Sequence, residues 1–183
     1  MKKITLLIVL FLIGCQNESS TKLNLNNLFN DHMVLQQDTL VSFWGQATKG
    51  VKVNLHCSWG VQATTVADET GNWVVQLNTP KADNKSHTVT VKSKKNTIKI
   101  QDVLLGEVWL ASGQSNMEMP MKGFRYARIH ELVEGAEEEI ANANYPEIRM
   151  FTVKRIIAFE SQENTEGNWA VCSPETLGEF SAV

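Results

Sequence analysis

Alternation with a period of two dominates residues 41–101. Val51, Val53, Leu55 and Cys57 alternate with Lys52, Asn54, His56 and Ser58. That period puts one set of side chains on a core-facing surface and the other in water, as in a half-buried strand. Trp73, Val75 and Leu77 alternate with Asn72, Val74 and Gln76, Val89 and Val91 with Thr90 and Lys92, and Ile98 and Ile100 with Lys99 and Gln101. Val41 to Trp44 and Val61 to Val66 are two further strand segments. Lys49-Gly50, Trp59-Gly60, Glu69-Thr70-Gly71-Asn72 and the polar stretch Thr79 to Ser86 supply turn chemistry between them. Many short strands with no helical period predict an all-β unit, a β-sandwich, over residues 23–102.

The pattern changes at residue 103. Val103, Leu104, Leu105, Val108, Trp109 and Leu110 form a nearly continuous apolar run. Such a run predicts a strand buried on both faces, as in a parallel sheet covered by helices. Ala111, Ser112 and Gly113 follow, then Gln114-Ser115-Asn116-Met117. A buried strand entering a tight glycine-containing turn that presents a serine is the geometry of a nucleophile elbow. Gly113 lets backbone and substrate approach, and the Ser115 N–H is placed to hold a developing oxyanion. Tyr126, Ile129, Val133, Ala136, Ile140 and Ala143 recur at spacings of three and four. They predict an amphipathic helix that Gly135 can divide. Pro146 ends it, Ile148 to Val153 is the next strand, and Ser173-Pro174-Glu175-Thr176 carries the signals of a helix start.

At the amino end, Lys2 and Lys3 precede an apolar run from Ile4 to Ile13 that is too short for a membrane-spanning helix. Leu12-Ile13-Gly14-Cys15 resembles the lipobox of bacterial lipoproteins. The resemblance implies that residues 1–14 are a signal peptide, that Cys15 becomes the acylated first residue, and that residues 15–22 are a tether. The membrane is then a partner through the lipid at Cys15, and the expected location is the bacterial cell envelope, at the outer membrane or its periplasmic face.

Composition narrows the classes that remain. The 183 residues are 43% apolar and 20% charged, which excludes a disordered or fibrous chain. The net charge of −3, which becomes −5 once Lys2 and Lys3 leave with the leader, and the lack of a basic run argue against nucleic acid as a partner. Cys15, Cys57 and Cys172 are too few for a disulfide scaffold, and Cys57 and Cys172 read as buried free thiols. His56 falls on the polar side of its strand, and His87 lacks a metal-spaced partner. Asp68, Glu69 and Asn72 fit a hairpin turn better than a calcium loop. No metal site is expected. Trp44, Trp59 and Trp73 have the chemistry to stack on sugar rings, although Trp73 is in phase with the core. Arg125 and Arg128 suit surface salt bridges or a substrate carboxylate.

Four segments resemble the sialate O-acetylesterase family. They are Asn30-Asp31-His32-Met33-Val34-Leu35-Gln36-Gln37, the long block from Gly106 to Pro120, Ala141 to Phe151, and Trp169 to Val183. The resemblance implies that residues 103–183 are the amino-terminal, incomplete part of an SGNH-type hydrolase domain with a flavodoxin-like α/β/α fold. It implies Ser115 as the nucleophile, with Gly113, Gln114 and Asn116 supporting the elbow and oxyanion. The expected substrate is an O-acetylated carbohydrate, and no metal or organic cofactor is required. The family's base histidine and its aspartate, spaced Asp-x-x-His, have no counterpart here. None of His32, His56, His87 and His130 follows an aspartate by three positions. The chain is therefore expected to be a fragment with little activity of its own. The alternative is a non-catalytic sugar-binding or structural lipoprotein.

Overall fold

A computed structural model describes residues 22–126, 129–131 and 133–182, with side chains for 22–124 and 133–182. The leader, Cys15 and the tether up to residue 21 lie outside the described residues, and so do the side chains of Arg125 and Arg128. The elements run in the order β1 (Asn24–Leu25), β2 (Val34–Gln36), β3 (Thr39–Gln46), β4 (Lys52–Cys57), β5 (Gln62–Val66), β6 (Asn72–Thr79), β7 (His87–Ser93) and β8 (Asn96–Gly106). Then follow α1 (Ser115–Glu118), β9 (Phe124–Tyr126), β10 (Ile129–Glu131), α2 (Ala136–Asn142), β11 (Tyr145–Phe151), β12 (Trp169–Cys172) and a 3-10 turn at Leu177–Glu179.

The first eight strands form two sheets. One has the order β1-β3-β6, the other β2-β8-β7-β4-β5. All pairings in them are antiparallel except β2 with β8, which is parallel. The alternating residues explain how the sheets meet. Phe43, Trp73 and Leu77 from the smaller sheet, and Val53, Leu55, Val89, Val91, Ile100, Val103 and Leu105 from the larger, belong to one buried cluster. Cys57 lies in it as a free thiol, and Cys172 is likewise free and buried. Residues 68–72 do not close a hairpin. They carry the chain from β5 in one sheet to β6 in the other. Asp68 organises that crossing by accepting hydrogen bonds from the Thr70 and Asn72 amides and the Thr70 hydroxyl. Gly71 takes φ +88 there, a conformation glycine adopts without penalty.

The apolar run at 103–110 is not one strand. β8 continues through residue 106, and its pairing with β7 shifts register between His87 and Val89. Asp102 sits at φ 52 at this irregularity. The extra residue changes the phase, so Ile100, Val103 and Leu105 all point into the core. Beyond Gly106 the chain leaves the sheet. Trp109 is 88% and Leu110 94% exposed, without the double-sided cover that the run predicted.

The helical stripe of 126–143 also divides. β9 and β10 pair in antiparallel fashion, Tyr126 opposite Ile129 and Phe124 opposite Glu131. Helix begins only at Ala136, after Gly135 in the left-handed region at φ 74. A short helix gains little over its nucleation cost, and the glycine supplies the break. The helix start expected at Ser173 is a turn followed by the single 3-10 turn. Thr176 donates to the Val171 carbonyl and accepts from the Ser173 amide, which closes the backbone locally before an α-helix can propagate. β11 covers the strand expected near Ile148 and pairs with β12.

Candidate active site

The segment that carries Ser115 is anchored at both ends. On the amino side, Gln36 and Gln37 each donate from Nε2 to the Glu107 carboxylate at 2.9 Å. The Val108 amide donates to Gln36 Oε1, and the Gln37 amide to the Gly106 carbonyl. These amide donors hold the Glu107 carboxyl below its usual range. The chain then crosses residues 107–114 without regular structure and enters α1 at Ser115. The strand therefore does not run directly into the serine turn, which corrects the tight elbow predicted from the apolar run.

Locally, the turn retains one steric demand of an elbow. A Cβ on Gly113 would lie 2.6 Å from Met117 Cγ, so the single turn of α1 folds back over that position. The Met117 amide donates to the Gln114 carbonyl at 2.9 Å. Gln114 precedes the helix in a non-helical conformation and makes no capping side-chain bond. Ser115 and Asn116 are exposed. The described side chains include no base hydrogen-bonded to Ser115.

On the carboxyl side, Met121 donates to the Phe180 carbonyl and Lys122 to that of Gly178, while Ala182 donates to Met119. Pro120 and Ser181 form a bridge, and Lys122 pairs with Glu179. Arg155 pairs with Glu118 at 2.5 Å. Ser115 is thus presented at the head of a turn that the chain's last described residues hold in place.

A second polar cluster ties the two halves of the chain together. His32 Nδ1 lies 2.7 Å from Asp102 Oδ2, and Arg149 Nη1 donates to the same oxygen at 2.5 Å. Arg149 also donates from Nε to the Pro146 carbonyl. The Arg149 hydrogen bond, with a smaller contribution from His32, holds the Asp102 carboxyl down at about 2. His32 and Asp102 both adopt positive φ, at 68 and 52. Two such residues in contact mark a position where surrounding contacts outweigh local strain. The alternation of polar and apolar positions held no sign of this cluster, although its members His32 and Arg149 lie in two of the matching segments.

Among the described residues no group of His, Cys, Asp and Glu is arranged to hold a metal ion, and no described helix is long and apolar enough to cross a membrane.

No family model matches the sequence. Curated relatives do. The rat sialate O-acetylesterase is 27% identical over 161 residues, covering 81% of this chain and 28% of the relative. The human sialate O-acetylesterase is 29% identical over 162 residues, covering 81% of this chain and 29% of the relative. The crystal structure of a carbohydrate acetylesterase from Xanthomonas citri superposes with a TM-score of 0.77 at 31% identity, covering 87% of this chain and 35% of that one. These similarities relate the chain to part of carbohydrate esterases, and its mostly-sheet scaffold is consistent with a hydrolase-type fold. More narrowly, the curated relatives that it resembles are sialate O-acetylesterases. It spans less than a third of the length of these curated relatives.

Proposed function

We propose that the chain carries the nucleophile-bearing part of a serine-type carbohydrate O-acetylesterase. The layout that goes with this reading is a β-sandwich over residues 23–102, followed from 103 by the start of an α/β/α hydrolase layer of SGNH type. Cys15 is the lipidated first residue of the mature protein and holds it at a membrane of the cell envelope. The observation that carries the proposal is the exposed Ser115 at the first position of α1, within a chain that a carbohydrate acetylesterase matches over 87% of its length.

In this reading Ser115 Oγ attacks the acetyl carbonyl of an O-acetylated sugar. Its proton passes to a histidine base, the sugar hydroxyl leaves with that proton, and water then releases acetate from the serine. Gly113 admits the substrate close to the backbone, and the Ser115 N–H faces the developing oxyanion, with Gln114 and Asn116 flanking it. No described base pairs with Ser115, and an unpaired serine hydroxyl is a weak nucleophile. The 183 residues alone are therefore expected to turn over at least about four decades more slowly than a chain that includes the base.

The test compares acetate release from O-acetylated sialic acid and other acetylated sugars by three proteins. These are this chain, a chain extended to the length of its relatives, and the extended chain with Ser115→Ala. Activity in the extended chain that vanishes with Ser115→Ala supports the reading. An extended chain that binds acetylated sugar without hydrolysing it would favour the non-catalytic alternative. Palmitate labelling in a bacterial host that is equal for wild type and Cys15→Ala would remove the lipid anchor.

A further inference from the structure

Ser58, His87 and Asp83 form a hydrogen-bonded line at one end of the larger sheet. Ser58 follows β4, His87 opens β7, and Asp83 lies in the connection that precedes it. Ser58 Oγ is 3.1 Å from His87 Nδ1, and His87 Nε2 is 2.9 Å from Asp83 Oδ1. Their sequence separations of 29 and 4 match no familiar motif, and only the pairing of β4 with β7 joins the serine to the histidine.

The direction of the protons follows from the partners. The His87 hydrogen bond holds the Asp83 carboxyl below its usual range, so it is a carboxylate that can only accept. Nε2 therefore carries the imidazole proton, and Nδ1 turns its lone pair toward Ser58. The Ser58 oxygen already accepts from the Thr88 amide at 3.0 Å, which leaves its own proton to be donated to Nδ1. The His87 side chain is only 9% exposed, whereas Ser58 is open to solvent. Trp59 stands edge-on to the imidazole at a centroid distance of 5.4 Å and is held by its Nε1–H bond to the Asn78 carbonyl. The imidazole is thus sheltered and aligned between two groups that reach solvent, the Ser58 hydroxyl and the Asp83 carboxylate. The neighbouring Cys57 does not compete, since burial pushes its thiol up to about 12.

We propose that Ser58 is a second nucleophile of this protein, activated by His87 and Asp83, that accepts acyl groups from activated esters such as aryl acetates. Ser58 Oγ bonds to the carbonyl carbon as its proton moves to His87 Nδ1. The C–O bond to the phenol then breaks, and the phenolate leaves with the proton from Nδ1. Asp83 keeps its charge throughout and steadies the imidazolium. The site is independent of Ser115 and does not rest on the function proposed for it.

A fluorophosphonate probe tests the relay directly. The Oγ–P bond forms as the P–F bond breaks, and the proton leaves with fluoride. The purified chain is labelled and the modified serines are mapped by peptide mass spectrometry. The variants are Ser115→Ala, His87→Asn and Asp83→Asn, with exposed Ser42 and Ser161 as internal references. The expected result is that Ser58 is labelled about 100-fold faster than the reference serines, and equally so in Ser115→Ala. The rate at Ser58 is expected to fall about 100-fold in His87→Asn and at least about tenfold in Asp83→Asn. Asp83 is partly exposed, so its variant decides the matter even if His87→Asn does not fold. Labelling of Ser58 at the rate of Ser161 would overturn the proposal. So would fast labelling of Ser58 that Asp83→Asn leaves unchanged.

Discussion

Arg149 donates to Asp102 at 2.5 Å across 47 positions of sequence, joining β11 to the bulge in β8. The guanidinium is 5% exposed and the carboxylate 31%. The pair shares its carboxylate oxygen with His32, so one side chain of β8 holds both the loop before β2 and the strand that precedes the last described segment. β12 pairs with β11, and residues 178–182 in turn hold residues 119–122, which follow Ser115. Arg149 is therefore one of the points at which the Ser115 segment is fastened to the sheets, on its carboxyl side, as Glu107 is on its amino side.

Removal of that fastening is expected to be costly. Breaking a buried ion pair by truncating one partner strands a desolvated charge, at about 3–5 kcal/mol for full burial. Asp102 keeps some access to water, so Arg149→Met is expected to cost less, about 2–3 kcal/mol. Urea denaturation of the two proteins measures it. Arg149→Lys is expected to recover only part of the loss, because one ammonium cannot span the Pro146 carbonyl and Asp102 as the planar fork does. A midpoint for Arg149→Met that coincides with wild type would show the pair to be idle.

The same carboxylate sets an acid limit. Asp102 titrates at about 2 when folded, against 3.8 for an unperturbed group. A depressed folded value adds stability that is whole above the unfolded pKa and disappears as pH falls through the folded one. Wild type should therefore lose stability more steeply than Asp102→Asn between pH 3.8 and about 2. Above that window the Asn variant should be uniformly the weaker of the two. Parallel melting-temperature curves through the window would contradict the assignment.

Gly45 faces a different constraint. A Cβ built there meets the Asn24 carbonyl oxygen at 2.1 Å and the Trp73 ring at 2.9 Å. β1 pairs directly opposite, Leu25 against Gly45. Gly45→Ala must push β1 away or move a 3%-exposed tryptophan, and overpacking of this kind costs about 1–3 kcal/mol. Hydrogen exchange is expected to quicken first at Asn24 and Leu25. Unchanged protection at both residues, together with wild-type stability, would show that the close approach is not tight.

Alternation by itself determined β4, β6, β7 and most of β8. A strand's side-chain period is a local property, and a core that buries one face leaves its trace in every second residue. The burial of Cys57 and Trp73 was legible for the same reason. The apolar run after Asp102 was misleading because a single bulge residue changes the phase, and a continuous run cannot distinguish a two-sided strand from a bulged strand that leads into an exposed loop. The exposed Ser115 was legible as a motif, but the eight residues between it and β8 were not, since the end of a strand depends on which neighbours remain to pair with it. The meeting of His32, Asp102 and Arg149, and that of Ser58 with His87, was decided only by tertiary structure. These side chains stand 70, 47 and 29 positions apart, and only the packing of strands and loops against one another determines which distant polar groups end within 3.1 Å of one another.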